Sequence, residues 1–275
     1  MKTIGILFAS IFFLKLNAAA QKLEKLWETD SLFKVPESVL FEEEGKLLYV
    51  SNIDGASGAK DGKGFISKLN AKGKIIKLRW VNGLHAPKGM VVFGAKIYVT
   101  DVDAIVTIKK RSGKIISRLP IPGAKFLNDI TVDPLGNLYS SDSETGIIHK
   151  IAGSEITTLI TGIKRPNGVL WYLGKLFYVE SGVFLSKDKD GNTTEIAKGM
   201  EASTDGIEAV DADHYIISSW VGAIYYVATN GTVTELLNTK AQKINTADIG
   251  YNPSDKIIYV PTFFGNQIVA YKLVL

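Results

Sequence analysis

Two independent residue series repeat through this chain with a period near 40. The first is an apolar–Tyr pair: Leu48-Tyr49, Ile97-Tyr98, Leu138-Tyr139, Phe177-Tyr178 and Ile258-Tyr259, with Ile216 in the Tyr place of Tyr215-Ile216-Ile217-Ser218. From Tyr49 the steps are 49, 41, 39, 38 and 43 residues. The second is a turn glycine: Gly73, Gly113, Gly153, Gly191 and Gly231, with steps of 40, 40, 38 and 40. Each period therefore holds two hairpins of short β-branched and aromatic runs, or four strands. Repeats of this length and content belong to β-propeller blades. Six periods fit the chain, and no long amphipathic helical pattern appears after residue 34. The expectation is an all-β, six-bladed propeller with four-stranded blades over residues 21–275.

The last period stops at Leu275 with no fourth strand after Ile268-Val269-Ala270-Tyr271. A spare segment, residues 23–33, lies at the other end of the chain. An open sheet edge is a liability, so this segment is predicted to complete the sixth blade and close the ring, burying Leu26, Trp27, Leu32 and Phe33.

Residues 1–20 are set apart. Lys2, an apolar run from Ile4 to Leu14, and Ala18-Ala19-Ala20 describe a secretory signal peptide cleaved after Ala20. The run is too short for a permanent span; a retained anchor is the alternative. Export to the periplasm or the medium follows as the expectation. Past residue 20 the chain carries 30 basic and 28 acidic side chains, a net charge of +2. That balance argues against a nucleic-acid partner. The chain has no cysteine, so an exported protein of this size relies on its core. A monomer acting on a small molecule is expected.

The first period carries a Gly-rich insertion, residues 52–64, after its second strand. It falls on the disc face that also holds the first-strand starts, and reads either as a mobile lid or as a passive long loop. Aligning the six first strands places Glu37, Lys88, Asn128, Asn167, Asp205 and Ala247 at one repeat position around the channel mouth. Two carboxylates and two carboxamides converging there make a hard oxygen set, suited to Ca²⁺, with Mg²⁺, Mn²⁺ or Zn²⁺ as alternatives. The competing reading is that these groups only hydrogen-bond within turns.

The ring resembles that of the senescence-marker-protein/gluconolactonase/luciferin-regenerating-enzyme family, relatives of the calcium propellers paraoxonase and diisopropylfluorophosphatase. The resemblance rests on Glu37, on Asn128-Asp129 through Asp133-Pro134-Leu135-Gly136, on Asn167-Gly168 through Trp171, and on Asp205-Gly206. It implies a divalent metal on Glu37, Asn167 and Asp205, Asn128 touching metal or substrate, and Asp205 as a catalytic acid/base for lactone or ester hydrolysis. Two places depart from the pattern. Phe126 stands where many lactonases have Arg, and Glu37-Ser38 replaces Glu-Gly. With Lys88 and Phe126 as substrate contacts, the ligand is expected to be more apolar or more anionic than a sugar-acid lactone. A non-catalytic binding propeller with a structural cation is the second reading. A metal-free, synthase-like propeller is a third, disfavoured by the acidic and amide ring. His85, His149 and His214 occupy unrelated repeat positions, and Asp188 to Asn192 reads as a hairpin turn rather than a calcium loop.

Overall fold

A computed structural model describes residues 21–275; the leader expected over residues 1–20, with its cleavage point, lies outside them. The described residues form six four-stranded antiparallel sheets, the propeller read from the repeat. Blade one is built from Pro36–Glu42, Leu47–Asn52, Gly64–Asn70 and Ile75–Leu84. The first strands of blades two to five are Pro87–Phe93, Leu127–Val132, Pro166–Tyr172 and Thr204–Ala209. Blade six opens with the short Gly250–Asn252. Among the described residues no helix is long and apolar enough to cross a membrane.

The N-terminal strand Lys22–Glu28 pairs antiparallel with Ile268–Val274 and supplies the fourth strand of blade six. The ring is thus closed by the two chain ends. One detail differs from the expectation. Leu26 and Leu32 are each 49% exposed. The register shifts between Lys25 and Trp27, so Leu26 is the extra residue of a bulge and turns outward. Leu32 lies beyond the strand. Phe33 is fully buried, with Trp27 packed on the same cluster and Leu23 on the next.

The core is divided among the blade interfaces. Tyr49 and Ile97 join blades one and two, Ile105 and Ile130 join two and three, and Tyr139 and Val169 join three and four. Each sheet buries both faces of its inner strands against its neighbours, so apolar residues pack between blades while Ser51, Asp101, Ser140, Asp142 and Ser218 are buried beside them. The second-strand Tyr of the repeat fills these gaps. Tyr49 lies 5.0 Å from Trp80, and Tyr139 stacks 5.0 Å from Trp171.

Candidate active site at the channel mouth

The first strands line the axis, and those of blades one to five start irregularly. Register shifts fall at Pro36/Ser38, Pro87/Met90, Leu127/Ile130, Pro166/Val169 and Thr204/Ile207. In every case the ring residue sits inside the shift. A bulge frees a side chain from strict alternation and re-aims it. Five ring side chains thereby reach one cavity of about 690 Å³: Glu37, Lys88, Asn128, Asn167 and Asp205. Ala247, the sixth, is buried and does not line it.

A second repeated device holds the chain just before the first strand in blades one to four. The residue ending the second strand folds its side chain back onto that backbone. Asn52 Oδ1 accepts from the N–H of Lys34, and Asp101 from those of His85 and Ala86. Asp142 accepts from those of Lys125 and Phe126, and Glu180 Oε2 from that of Lys164. Asp101 and Asp142 are fully buried, yet backbone donors meet their charge. None of these four residues belongs to a motif named above. Their signal was available: a polar residue recurs at the end of the second strand in four successive blades.

Glu37, Lys88, Asn128 and Asp205 are buried and Asn167 half-buried, and three buried oxygens have no hydrogen-bond partner: Glu37 Oε2, Asn167 Oδ1 and Asp205 Oδ1. Buried polar atoms are nearly always satisfied, so three orphans in one cavity floor are a local anomaly. Asn128 Nδ2 donates to Ser143 Oγ at 3.0 Å, and Ser143 Oγ donates to Pro166 O at 2.5 Å. This fixes the carboxamide and leaves its oxygen free to accept a hydrogen bond or to ligate a cation. Burial and the Asp205 charge push the Glu37 carboxyl well above its ordinary range, and Lys88 pulls it partly back. Burial and Asp248 raise Asp205, while a hydrogen bond from Asn167 opposes them.

Lys88 is 1% exposed. Its ammonium donates to Ala86 O at 3.1 Å and lies 4.2 Å from the centre of the Phe126 ring. Burial lowers its pKa; Glu37, Asp101 and Asp142 raise it again. Phe126 is therefore the platform for a cation contributed by the neighbouring blade.

One residue further along each strand lies a lower ring: Ser38, Gly89, Asp129, Gly168, Gly206 and Asp248. Its polar members are satisfied. Asp129 accepts from the N–H groups of Ile130 and Val169, both at 2.7 Å, the second across the blade boundary. Asp248 Oδ2 accepts from Ser38 Oγ at 2.6 Å, joining blades six and one. The glycines make room. A Cβ at Gly89 would stand 2.4 Å from Asp129 Oδ1, and one at Gly206 2.3 Å from Asp248 Oδ1. Burial raises both carboxyls, that of Asp248 to about 7. Toward the other end of blade five's first strand, burial and Asp248 push Glu208 to about 8.

The rim comes from loops on the same face. The insertion of blade one contributes Ile53 and Ser57. It is pinned at several points: Arg79 pairs with Asp54 at 2.5 Å, Lys60 with Asp103, and the Gly62 N–H donates to His85 Nδ1. It is a tied wall. The other histidines serve locally, His214 pairing with Asp211 and His149 lying buried in a third strand. Asp188 is consumed by its own turn, accepting from the N–H groups of Asp190 and Asn192.

Among the described residues no three His, Asp or Glu side chains converge as a metal cluster by themselves. A cation at this floor would depend on the two carboxylates together with carboxamide oxygens.

No family model matches the chain, and no curated protein matches it in sequence. Solved structures do match in shape. A catalytically inactive variant of virginiamycin B lyase from Staphylococcus aureus, with quinupristin, superposes with a TM-score of 0.65 at 18% identity, covering 93% of this chain and all of that one. A streptogramin B lyase gives 0.67 at 14% identity, covering 92% and 98%. A gluconolactonase from Xanthomonas campestris gives 0.69 at 12% identity, covering 88% and 87%. The chain shares its six-bladed propeller fold with gluconolactonase-type proteins, as the motif resemblance implies.

Proposed function

We propose that this chain is a metal-dependent hydrolase of a lactone or ester, with one divalent cation at the floor of the cavity. Ca²⁺ is the first choice and Mg²⁺, Mn²⁺ or Zn²⁺ the alternatives. The fold alone supports many chemistries, and the likeness to lactonases and lyases at 12–18% identity supplies only the fold. The observation that carries the reading is the group of three buried, unpartnered oxygens on Glu37, Asn167 and Asp205. Leaving such atoms without a partner costs about 1–3 kcal/mol each, more for a charged group.

The residues present fit a hard cation. Two carboxylates from blades one and five and two carboxamides from blades three and four converge, and Ca²⁺ accepts both oxygen types. When bound, the cation would polarise the substrate carbonyl and lower the pKa of a water. Asp205 would accept the proton of the attacking water. Asn128, its carboxamide held by Ser143, would orient the substrate. Lys88 and Phe126 would close the blade-two side of the floor. The leader features of residues 1–20 support the same activity outside the cytoplasm.

The second reading is a non-catalytic binding propeller in which the same unpartnered oxygens hold a structural cation. Metal content measured on the purified protein, followed by a lactone and ester panel with and without chelator, separates the two. Turnover that chelator abolishes supports the hydrolase. Bound metal with no turnover across the panel supports the binding propeller.

A further inference from the structure

The wall above the floor changes character from blade to blade. Blades five and six contribute Trp220, Phe263 and Phe264, packed edge to face. Ring centres lie 5.4 Å apart for Trp220 and Phe263, 6.0 Å for Trp220 and Phe264, and 4.8 Å for Phe263 and Phe264. Phe264 lines the cavity while 66% exposed. Phe263 is held at φ 50, a left-handed backbone that is unusual for a bulky residue. Blade four contributes Lys164 and Arg165 to the same cavity. Both are exposed, and among the described residues neither takes part in an ion pair. Arg165 is also held at positive φ, 53. Their backbone is anchored, since the Lys164 N–H donates to Glu180 and the Lys164 carbonyl accepts from Ser181 Oγ.

Trp220 and Phe263 are half-buried and Phe264 is exposed, an open aromatic face of the kind that marks a binding site, and two adjacent unpaired cations attract an anion. The volume of about 690 Å³ lies in the range of small-molecule pockets. We propose that the mouth takes an aromatic or similarly flat apolar compound that carries an anionic group. The ring would lie on Trp220, Phe263 and Phe264, and the anion would meet Lys164 and Arg165 in the adjoining blade. The proposal names a substrate class for the same mouth. It rests on the hydrolase reading for turnover but not for binding.

Binding is therefore the test. The probes are 2-naphthoate, its neutral counterpart 2-naphthamide, and gluconate, titrated calorimetrically into the chelated protein and the calcium-loaded protein. Naphthoate is expected to bind and gluconate to bind at least tenfold more weakly. Phe264→Ala and Trp220→Ala should each weaken naphthoate by about tenfold or more, and naphthamide similarly. Lys164→Gln with Arg165→Gln should weaken naphthoate about tenfold and leave naphthamide unchanged. Phe264 is largely exposed, so its variant should keep the parent melting temperature and report binding alone. Gluconate bound as tightly as naphthoate would overturn the proposal. So would naphthoate affinity unchanged in the Phe264 variant or in the double Gln variant, the latter placing the carboxylate on the floor instead. Tight naphthoate binding by a protein that hydrolyses no ester would remove the hydrolase reading and leave this one standing.

Discussion

The two rings at the channel mouth are one residue apart in sequence and opposite in condition. In the upper ring Glu37, Asn167 and Asp205 each leave a buried oxygen unpartnered. The lower ring of Ser38, Asp129 and Asp248 spends its polar atoms on cross-blade hydrogen bonds. Both are buried carboxylate-bearing layers in the same strands. The difference teaches that burial of charge alone does not mark a functional site here. What marks it is burial of charge without partners, at the open end of a cavity.

The largest effect should come from removing what holds both rings at once. Deleting residues 21–33 removes the closing strand, with Phe33, Trp27 and Leu23. Each buried side chain is worth roughly 1.5–3 kcal/mol, so unfolding in urea should occur with a loss on the order of 5 kcal/mol. A truncated protein with unchanged stability would mean the ring closes without this strand.

The rings should then separate by variant. Glu37→Gln and Asp205→Asn keep shape but remove a charge, and are expected to weaken divalent cation affinity by about a hundredfold and abolish hydrolysis, with little loss of stability. Calorimetric titration with Ca²⁺ decides it. Asp129→Ala is the opposite case. It orphans the N–H groups of Ile130 and Val169 and should cost about 2–4 kcal/mol in denaturant unfolding.

Acidity sharpens the same contrast. Asp248 is raised to about 7 in the folded chain, against about 3.9 for an unperturbed aspartate. Between those values the folded state keeps a proton that the unfolded state has lost. Its contribution to stability is full below pH 4 and is lost as pH rises through 7. The chelated protein should melt lower at pH 8 than at pH 5, and Asp248→Asn should flatten that slope. A slope equal in parent and variant would assign the dependence elsewhere. The smallest effect is expected from Ser38→Gly, which costs one hydrogen bond to Asp248. Thermal unfolding should register a loss of about 1 kcal/mol.

The period of 40 determined most of the fold. Two hairpins per period, repeated six times, can bury their faces only against one another, and a missing last strand beside a spare first one implies closure by the chain ends. The ring position was also legible, because bulged first strands place one residue per blade at the same depth. The sequence by itself could not say which polar residues would end up satisfied. Asp129 and Asp205 look alike in their motifs, yet Asp129 meets the Val169 N–H of the next blade and Asp205 Oδ1 meets nothing. Ser38 read as a departure until Asp248, 210 residues away, stood 2.6 Å from its hydroxyl. The wall of Trp220, Phe263 and Phe264 had no repeat to announce it, since it arises from loops of two blades. Local pattern sets strands and their periodicity; hydrogen-bond satisfaction and cavity lining depend on which blade edges meet, and that is decided only when the ring closes.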